Sequence, residues 1–312
     1  MSRVAGVLDV KRLRLLVEFS RRGTIAEVAQ ALNYSASAVS QQLSVLETEA
    51  GVALLEPFGR RVRLTPEGEL LVTHAHRVLT ELEAASAALA AASESVTGTV
   101  RLAAFQSAVL TVVPPALIAL HLDHPTLRVE VTELEPEESL PALAAGDFDV
   151  VIAEEYPHRP QPQLPGLRRE NVLADVLELV VPQQWGQRTL GELAQSPFAM
   201  EPPGTAARDW SDAICRDAGF EPDVCFTSTD LQIHLRMANS GLSAALLPRL
   251  AGTAGHPGVV ACPLPGAPTR TVFAATRDGA SGRPGIQAVI AAIEAVARRS
   301  GTNAGCEVLS AP

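Results

Sequence analysis

Small polar side chains capable of hydrogen bonding line one face of a short stretch near the N-terminus. Between residues 24 and 48, apolar residues recur at helical spacing on either side of Asn33-Tyr34, which predicts two short helices joined by a tight turn. The outer face of the second helix carries Ser, Ala and Gln without charged pairs. Hydroxyl and amide groups at the N-terminal end of such a helix can reach base edges in the major groove of DNA. The pattern is typical of a helix-turn-helix.

Capping residues support this interpretation. Thr24 and Glu27 are spaced as a capping box at the start of the first helix, and Ser35 is a good cap for the second. An ordinary pair of surface helices is the alternative, because helix pairs are common in proteins. In either case we expect Val39, Leu43 and Leu46 to face the protein interior, while Ala36, Ser37, Ser40, Gln41 and Ser44 face outward.

A hairpin rich in arginine follows the two helices. Residues 52–65 contain two apolar runs separated by Pro57-Phe58-Gly59, which predicts a β-hairpin wing. Guanidinium groups bind phosphate well, and phosphate contacts position a protein on DNA while base contacts specify the site. The predicted DNA-binding residues are Ser35, Ala36, Ser37, Ser40, Gln41, Arg60, Arg61 and Arg63.

The charge distribution agrees with a DNA-binding N-terminal end. Residues 1–65 carry a net charge of +3, whereas the whole chain of 312 residues carries −10. An acidic body disfavours non-specific adhesion to DNA and leaves the basic end to make contact. No apolar run is long enough to span a membrane, and no signal peptide is evident. The four cysteines lack metal-type spacing, which favours free thiols in a reducing, cytoplasmic compartment, although a redox pair of Cys215 and Cys225 is an alternative.

A long helix is predicted from Thr65-Pro66, which is a good helix start. Apolar residues then recur in alternating steps of four and three, as in a heptad seam that pairs two helices. A single amphipathic helix packed on its own domain is the alternative. A dimer is the simplest way to read a DNA site with two-fold symmetry. The predicted dimerisation residues are Leu71, Ala75, Val78, Leu82, Ala85 and Leu89.

Alternating strands and helices fill the rest of the chain and predict an α/β fold. The order over residues 100–153 is strand, helix, strand, helix, strand, which implies a parallel sheet. A second set of elements follows a proline-rich connector at 156–166, and a second connector at 263–268 leads back to the first set. We therefore expect two lobes, about 98–160 with 268–300 and about 164–266, with a hinge and a cleft between them.

These motifs together resemble the LysR-type transcriptional regulators. The resemblance rests on SASAVSQQLSVLE at 35–47, GVALLE at 51–56 and GRRVRLTPEG at 59–68, and more loosely on GDFDVVI at 146–152 and SGLSAALLP at 240–248. It implies a winged helix-turn-helix at 1–65, a linker helix at 66–94 and a periplasmic-binding-protein-like effector domain at 95–300. The pattern of the chain itself predicts a disordered tail at 301–312. This chain departs from the family at Ala36-Ser37, at Gln41 and at Leu55-Glu56-Pro57, which predicts a different base preference and one doubtful phosphate contact.

The resemblance also implies partners. These are double-stranded DNA, a small-molecule effector in the cleft, RNA polymerase and further copies of the chain in a homodimer or homotetramer. No cofactor is expected. A helix N-terminus in the cleft suits a carboxylate. Glu154 and Glu155 on the facing side suit an amine instead, or simply face solvent. Gln106 and Ser107 can also be plain caps of their own helix. The predicted effector-binding residues are Gln106, Ser107, Ala108, Glu154, Glu155, Pro203, Gly204, Thr205 and Thr229.

A solute-binding protein or an enzyme on the same two-lobed body is the alternative class. The sequence lacks a Gly-x-Ser-x-Gly motif, a phosphate-binding glycine loop and a metal-spaced His/Cys cluster. We therefore expect no enzymatic activity.

Overall fold

The computed structural model describes residues 7–59, 61–92 and 96–303, with side chains up to residue 299. These residues form two compact units. One comprises the chain up to residue 92 together with 278–282, and the other comprises the remainder. Within this part of the chain, no helix has both the length and the apolar character needed to cross a membrane.

The first unit is a winged helix-turn-helix followed by a long helix. Its elements are α1 (Val10–Arg22), α2 (Ile25–Ala31), α3 (Ala36–Ala50), β1 (Leu55–Phe58), β2 (Arg61–Leu64) and α4 (Pro66–Ala91). The predicted caps are present: Thr24 Oγ1 accepts from the N–H of Glu27, and Ser35 Oγ accepts from the N–H of Ala38. Val39, Leu43 and Leu46 are buried, as predicted.

Contacts near the C-terminal end of α3 fix the position of the wing. One carboxylate oxygen of Glu47 accepts from the backbone N–H groups of Leu54 and Leu55 at 2.9 and 3.0 Å. Gly68 lies so close to this strand that a Cβ there would come within 2.3 Å of the carbonyl oxygen of Leu54. The start of α4 can therefore pack against the wing only with glycine at position 68.

The second unit is built on a mixed sheet with helices around it. Its elements are β3 (Gly98–Ala104), α5 (Gln106–Thr111), α6 (Val113–Asp123), β4 (Leu127–Glu133), α7 (Pro136–Ala145), β5 (Val150–Glu155), β6 (Leu167–Pro182), β7 (Pro197–Met200), α8 (Ala206–Asp217), β8 (Asp223–Thr227), α9 (Leu231–Asn239), β9 (Ala244–Pro248), β10 (Val259–Pro263), β11 (Thr269–Arg277) and α10 (Pro284–Asn303). The strand order is β4-β3-β5-β11-β6-β9-β7-β8, with β10 also paired to β6.

The sheet divides into two lobes that share the long strand β6. In the first lobe β3 is parallel to β4 and β5, as predicted, while β11 is antiparallel to β5 and β6. In the second lobe β7 is parallel to β8 and β9, and β9 and β10 are antiparallel to β6. Residues 167–176 of β6 pair with β11, and from Leu177 onward the strand pairs with the second lobe.

Several element boundaries differ from the sequence prediction. The first crossing between lobes lies inside β6 near residue 176 and not in the proline-rich connector, because the apolar strand continues from one lobe into the other. The first helix predicted within residues 100–153 is two helices, α5 and α6, that meet at Val112, since Pro114 and Pro115 suit the first turn of a new helix. Strand β10 was not predicted. Helix α10 continues to Asn303, and residues 304–312 of the predicted tail lie outside the described residues.

Candidate nucleic-acid interface and effector cleft

The outer face of α3 is open and uncharged. Ala36, Ser37, Ser40 and Gln41 are all exposed, as the sequence pattern predicted. Ser35 Oγ, besides capping the helix, lies 3.0 Å from Ser37 Oγ, so these two hydroxyls are held together at the start of the helix. The face therefore presents hydroxyls and one amide to any molecule that approaches it.

The neighbouring glutamine has a different role. Gln42 Oε1 accepts from Arg12 Nε at 3.0 Å, and the same guanidinium forms an ion pair with Glu49. Arg12 thus holds α1 against α3 and leaves Gln41 as the free amide. This clamp was not predicted from the sequence, although Arg12 and Glu49 lie on the first and third helices of a short domain.

The wing carries its charged side chains on one face. Arg61 and Arg63 are exposed on β2, whereas Val62 and Leu64 pack on the unit's core. Arg63 lies beside Glu56, which is directly opposite it on β1. Arg60 lies outside the described residues.

The predicted seam on α4 is buried in the first unit at its N-terminal end and exposed further along. Ala75 is fully buried in the core of the first unit, and Leu71 packs on the same core, because α1 covers this part of the helix. Ala75 is therefore corrected from dimerisation to packing within its own unit, whereas a dimerisation role for the partly buried Leu71 stays a prediction. Further along, Val78, Leu82 and Leu89 are 42%, 46% and 77% exposed, and Ala85 is exposed as well. The exposed stripe therefore comprises Val78, Leu82, Ala85 and Leu89.

The polar centre of the second unit is Arg270, which was not predicted from the sequence. Its guanidinium is buried between the two lobes and forms ion pairs with Glu154 and with Asp175, the latter at 2.8 Å. It also donates to Ser107 Oγ at 2.6 Å and lies 4.9 Å from the centre of the Phe105 ring. The position of Arg270 close to the apolar run Val272–Ala275 of β11 was the available sequence signal.

Gln106 connects the lobes directly. Its Nε2 donates to Asp230 Oδ1 at 2.9 Å, and its Oε1 accepts from the N–H of Leu231 at 2.8 Å. Asp230 is also the N-cap of α9. A side chain of the first lobe therefore completes the cap of a helix in the second lobe.

Carboxylates dominate the charge around Arg270. Burial raises the pKa of Glu154 and of Asp175, and Arg270 lowers each pKa but does not fully offset this. Desolvation and repulsion by Glu201 and Glu137 raise the pKa of Glu135, which lies at the start of α7. Burial likewise raises the pKa of Glu201 in the second lobe, while a hydrogen bond from Thr205 and the charge of Arg270 lower it. The cleft is therefore acidic, with its buried guanidinium already paired.

The remaining predicted effector residues have varied surroundings. Glu155 points away from Glu154, because neighbouring strand residues face opposite sides, and it pairs with Arg169 at 2.9 Å. It is thus withdrawn from the cleft. The N–H of Ala108 donates to the carbonyl of Phe105, so it is already used within its own turn. Thr205 Oγ1 caps α8, and Pro203, Gly204 and Thr229 are exposed.

Cys215, Cys225 and Cys262 are free thiols. Cys215 is buried, and desolvation raises the pKa of its thiol to about 12. Cys225 is exposed, and desolvation together with Asp223 raises its pKa. Among the described residues, no group of His, Cys, Asp and Glu side chains is arranged to hold a metal ion.

Comparisons with known proteins place both units in one family. Residues 10–69 match a model described as a bacterial regulatory helix-turn-helix protein of the lysR family, and residues 93–298 match a LysR substrate binding domain. A probable hydrogen peroxide-inducible genes activator of Mycobacterium leprae is 31% identical over 242 residues, which is 77% of each chain. The dual regulator OxyR of Escherichia coli K12 is 26% identical over 303 residues, or 92% of this chain and 95% of the relative. The solved structure of a full-length OxyR variant from Pseudomonas aeruginosa has the same fold, with a TM-score of 0.68 at 22% identity over 93% of this chain and 96% of that one.

Proposed function

This chain belongs to the LysR family of DNA-binding transcriptional regulators, and from that premise we propose that the outer face of α3 and the wing arginines form its DNA interface. It is a regulator with an effector-binding domain and not an enzyme. The observation that carries the proposal is the open, uncharged face of α3 beside a wing with exposed arginines. Such a face reads bases through hydroxyls and one amide, while the wing grips the backbone.

Gel-shift titrations with the DNA upstream of the chain's own gene test this interface. Gln41→Ala should weaken binding by about 5- to 150-fold, because a bidentate contact with a base contributes about 1–3 kcal/mol. Arg61→Ala should lower the slope of log affinity against log salt by about 0.9, as expected for one lost phosphate contact. Ser86→Ala is the matched control, since its hydroxyl bonds only its own helix at Leu82. Undiminished binding by Gln41→Ala and Arg61→Ala together would contradict the proposed interface.

We further propose that the effector-binding cleft lies between the two lobes around Arg270 and takes a positively charged ligand. Glu135 of the first lobe and Glu201 of the second are carboxyls whose pKa is raised by desolvation, so a bound cation would favour their ionised form. The buried guanidinium has its own carboxylate partners and leaves little attraction for an anion. The sequence left open whether the effector carries an amine or a carboxylate, and this charge balance favours the amine.

We infer that Cys215 and Cys225 are not suited to sensing peroxide, although several relatives are named hydrogen peroxide-inducible genes activators. The thiolate is the reactive form of cysteine, and both described thiols near α8 have a raised pKa. Nothing at Cys215 or Cys225 lowers the cost of forming that thiolate.

We also propose that α4 pairs with a second copy of the chain. The exposed stripe of Val78, Leu82, Ala85 and Leu89 suits pairing of α4 with a second copy of the chain. Contact with RNA polymerase and a cytoplasmic location rest on the family alone.

A further inference from the structure

The outer face of the wing holds two arginines in unequal surroundings. In the hairpin register Glu56 is opposite Arg63 and Phe58 is opposite Arg61, so these four side chains share the solvent face. Phe58 is 61% exposed although it is a large apolar residue. The face thus contains one acidic, one aromatic and two basic side chains.

Arg63 is held by its neighbours. Its Nε and Nη2 both lie 2.7 Å from Glu56 Oε1, and its guanidinium carbon lies 4.9 Å from the centre of the Phe58 ring. Within the described part of the chain, the structure gives Arg61 no ion pair or hydrogen bond from its side chain. Arg61 and Arg63 therefore lie on the same face of one strand, but only Arg63 forms an ion pair with a carboxylate among the described residues.

We propose that Glu56 competes with DNA phosphate for the guanidinium of Arg63. The Glu56–Arg63 ion pair, here called the clasp, makes the wing bind the DNA backbone more weakly than two unpaired arginines would. The Glu56 carboxylate occupies the donors that a phosphate would accept from, and its negative charge repels the DNA backbone. Arg63 would have to leave this pair to meet a phosphate, so in the wild type its own contact with DNA adds little. Glu56 thereby sets the affinity and the salt dependence of DNA binding.

The clasp is not required for the fold of the wing. The hairpin is anchored by the Glu47 carboxylate on the N–H groups of Leu54 and Leu55, and by Val62 and Leu64 in the core of the unit. Glu56→Gln keeps the size of the side chain and removes only its charge. We therefore expect this variant to melt at the same temperature as the wild type.

A double-mutant cycle on the full chain tests the clasp with the DNA used above. The proposal rests on the wing contacting the backbone, which Arg61→Gln checks separately. Glu56→Gln should raise affinity about fivefold at low salt and steepen the salt slope by about 0.9, as one more arginine becomes available to phosphate. Arg63→Gln alone should change the affinity little, and Glu56→Gln should give most of its gain only when Arg63 is present.

A matched control is available in the second unit. Glu130 forms an exposed ion pair with Arg128 at 2.8 Å, so Glu130→Gln removes the same charge from an equivalent pair without touching the wing. It should leave DNA affinity unchanged.

Three results would overturn the clasp in distinguishable ways. An equal gain from Glu56→Gln with and without Arg63 would show that the carboxylate acts only through its charge. A loss of affinity in Glu56→Gln would show that the carboxylate orients Arg63 for phosphate. No effect of Arg61→Gln on affinity or salt slope would remove the wing from the DNA interface, and the proposed function would then fail at this point together with the clasp.

Discussion

Arg270 shows how a full positive charge can be kept inside this protein. Its guanidinium is 1% exposed and has carboxylates of β5 and β6, the hydroxyl of Ser107 and an aromatic ring around it. Burying a lone charge is very costly, so the cluster is stable only because each partner compensates another. Arg270 likewise offsets the cost of burying the carboxylates of Glu154 and Asp175.

Replacing Arg270 should therefore destabilise the second unit strongly. Arg270→Met leaves two buried carboxylates without their counter-charge, for which we expect a loss of about 3–5 kcal/mol in the free energy of unfolding. Urea unfolding followed by tryptophan fluorescence measures it, since Trp185 and Trp210 both lie in this unit. Arg128→Met, which breaks the exposed pair with Glu130, should change the unfolding free energy by no more than about 0.5 kcal/mol.

The same variant should respond to pH in a defined direction. Without Arg270, the pKa of Glu154 and of Asp175 rises further above the ordinary value of a carboxyl in the folded state. A folded-state pKa above the unfolded one contributes stability below the unfolded pKa, and this contribution is lost as pH rises. The difference between Arg270→Met and the wild type should therefore narrow as the pH is lowered from 8 towards 5, and a constant difference would contradict this account.

At the scale of elements, the cap of α9 couples the two lobes. Gln106 on α5 supplies the acceptor for the first N–H of α9, and Asp230 supplies the acceptor for the N–H of Gln232. Helix N-termini need such acceptors because their first N–H groups have no partner inside the helix. A shift of one lobe relative to the other must therefore break the Gln106 contact, although the Asp230 contact would survive.

Gln106→Ala should loosen this connection without unfolding either lobe. A hydrogen bond contributes about 0.5–1.5 kcal/mol, so amide exchange at Leu231 should accelerate about 2- to 12-fold. Gln232→Ala is a suitable control, because the Gln232 amide donates to the carbonyl of Ala251 within one lobe. Unchanged exchange at Leu231 in Gln106→Ala would show that the contact between the lobes is not maintained in solution.

Local patterns predicted some elements better than others. Helices α2 and α3 were predicted from caps and apolar spacing, because both signals are contained within a few residues of the element itself. Strand β6 was assigned to one lobe only, because nothing local shows that its partner changes from β11 to β9. The long seam on α4 was read as one surface, whereas packing of α1 divides it at Ala75.

At the scale of the whole molecule, the candidate sites were predicted unevenly for a related reason. The α3 face was found from sequence because its residues are neighbours on one helix. The cleft gathers Ser107, Glu154, Asp175 and Arg270 from four separate elements, and only tertiary structure brings them together. Glu155 was predicted beside Glu154, but the alternation of a strand places it on the opposite side, where Arg169 binds it.

The charge of the cleft leads to a prediction for the intact regulator. A ligand held between carboxylates of both lobes should stabilise the second unit, by about 2.7 kcal/mol when its concentration is 100 times its Kd. We expect a four-carbon diamine to raise the melting temperature in a tryptophan-monitored scan, and a four-carbon dicarboxylate to leave it unchanged. Glu201→Gln should reduce the diamine effect, because it removes the carboxylate of the second lobe. Since coupling between two sites is reciprocal, the factor by which the diamine changes DNA affinity should equal the factor by which DNA changes diamine affinity. Stabilisation by the dicarboxylate instead would show that Arg270 is released to bind an anion, and the proposed ligand charge would be wrong.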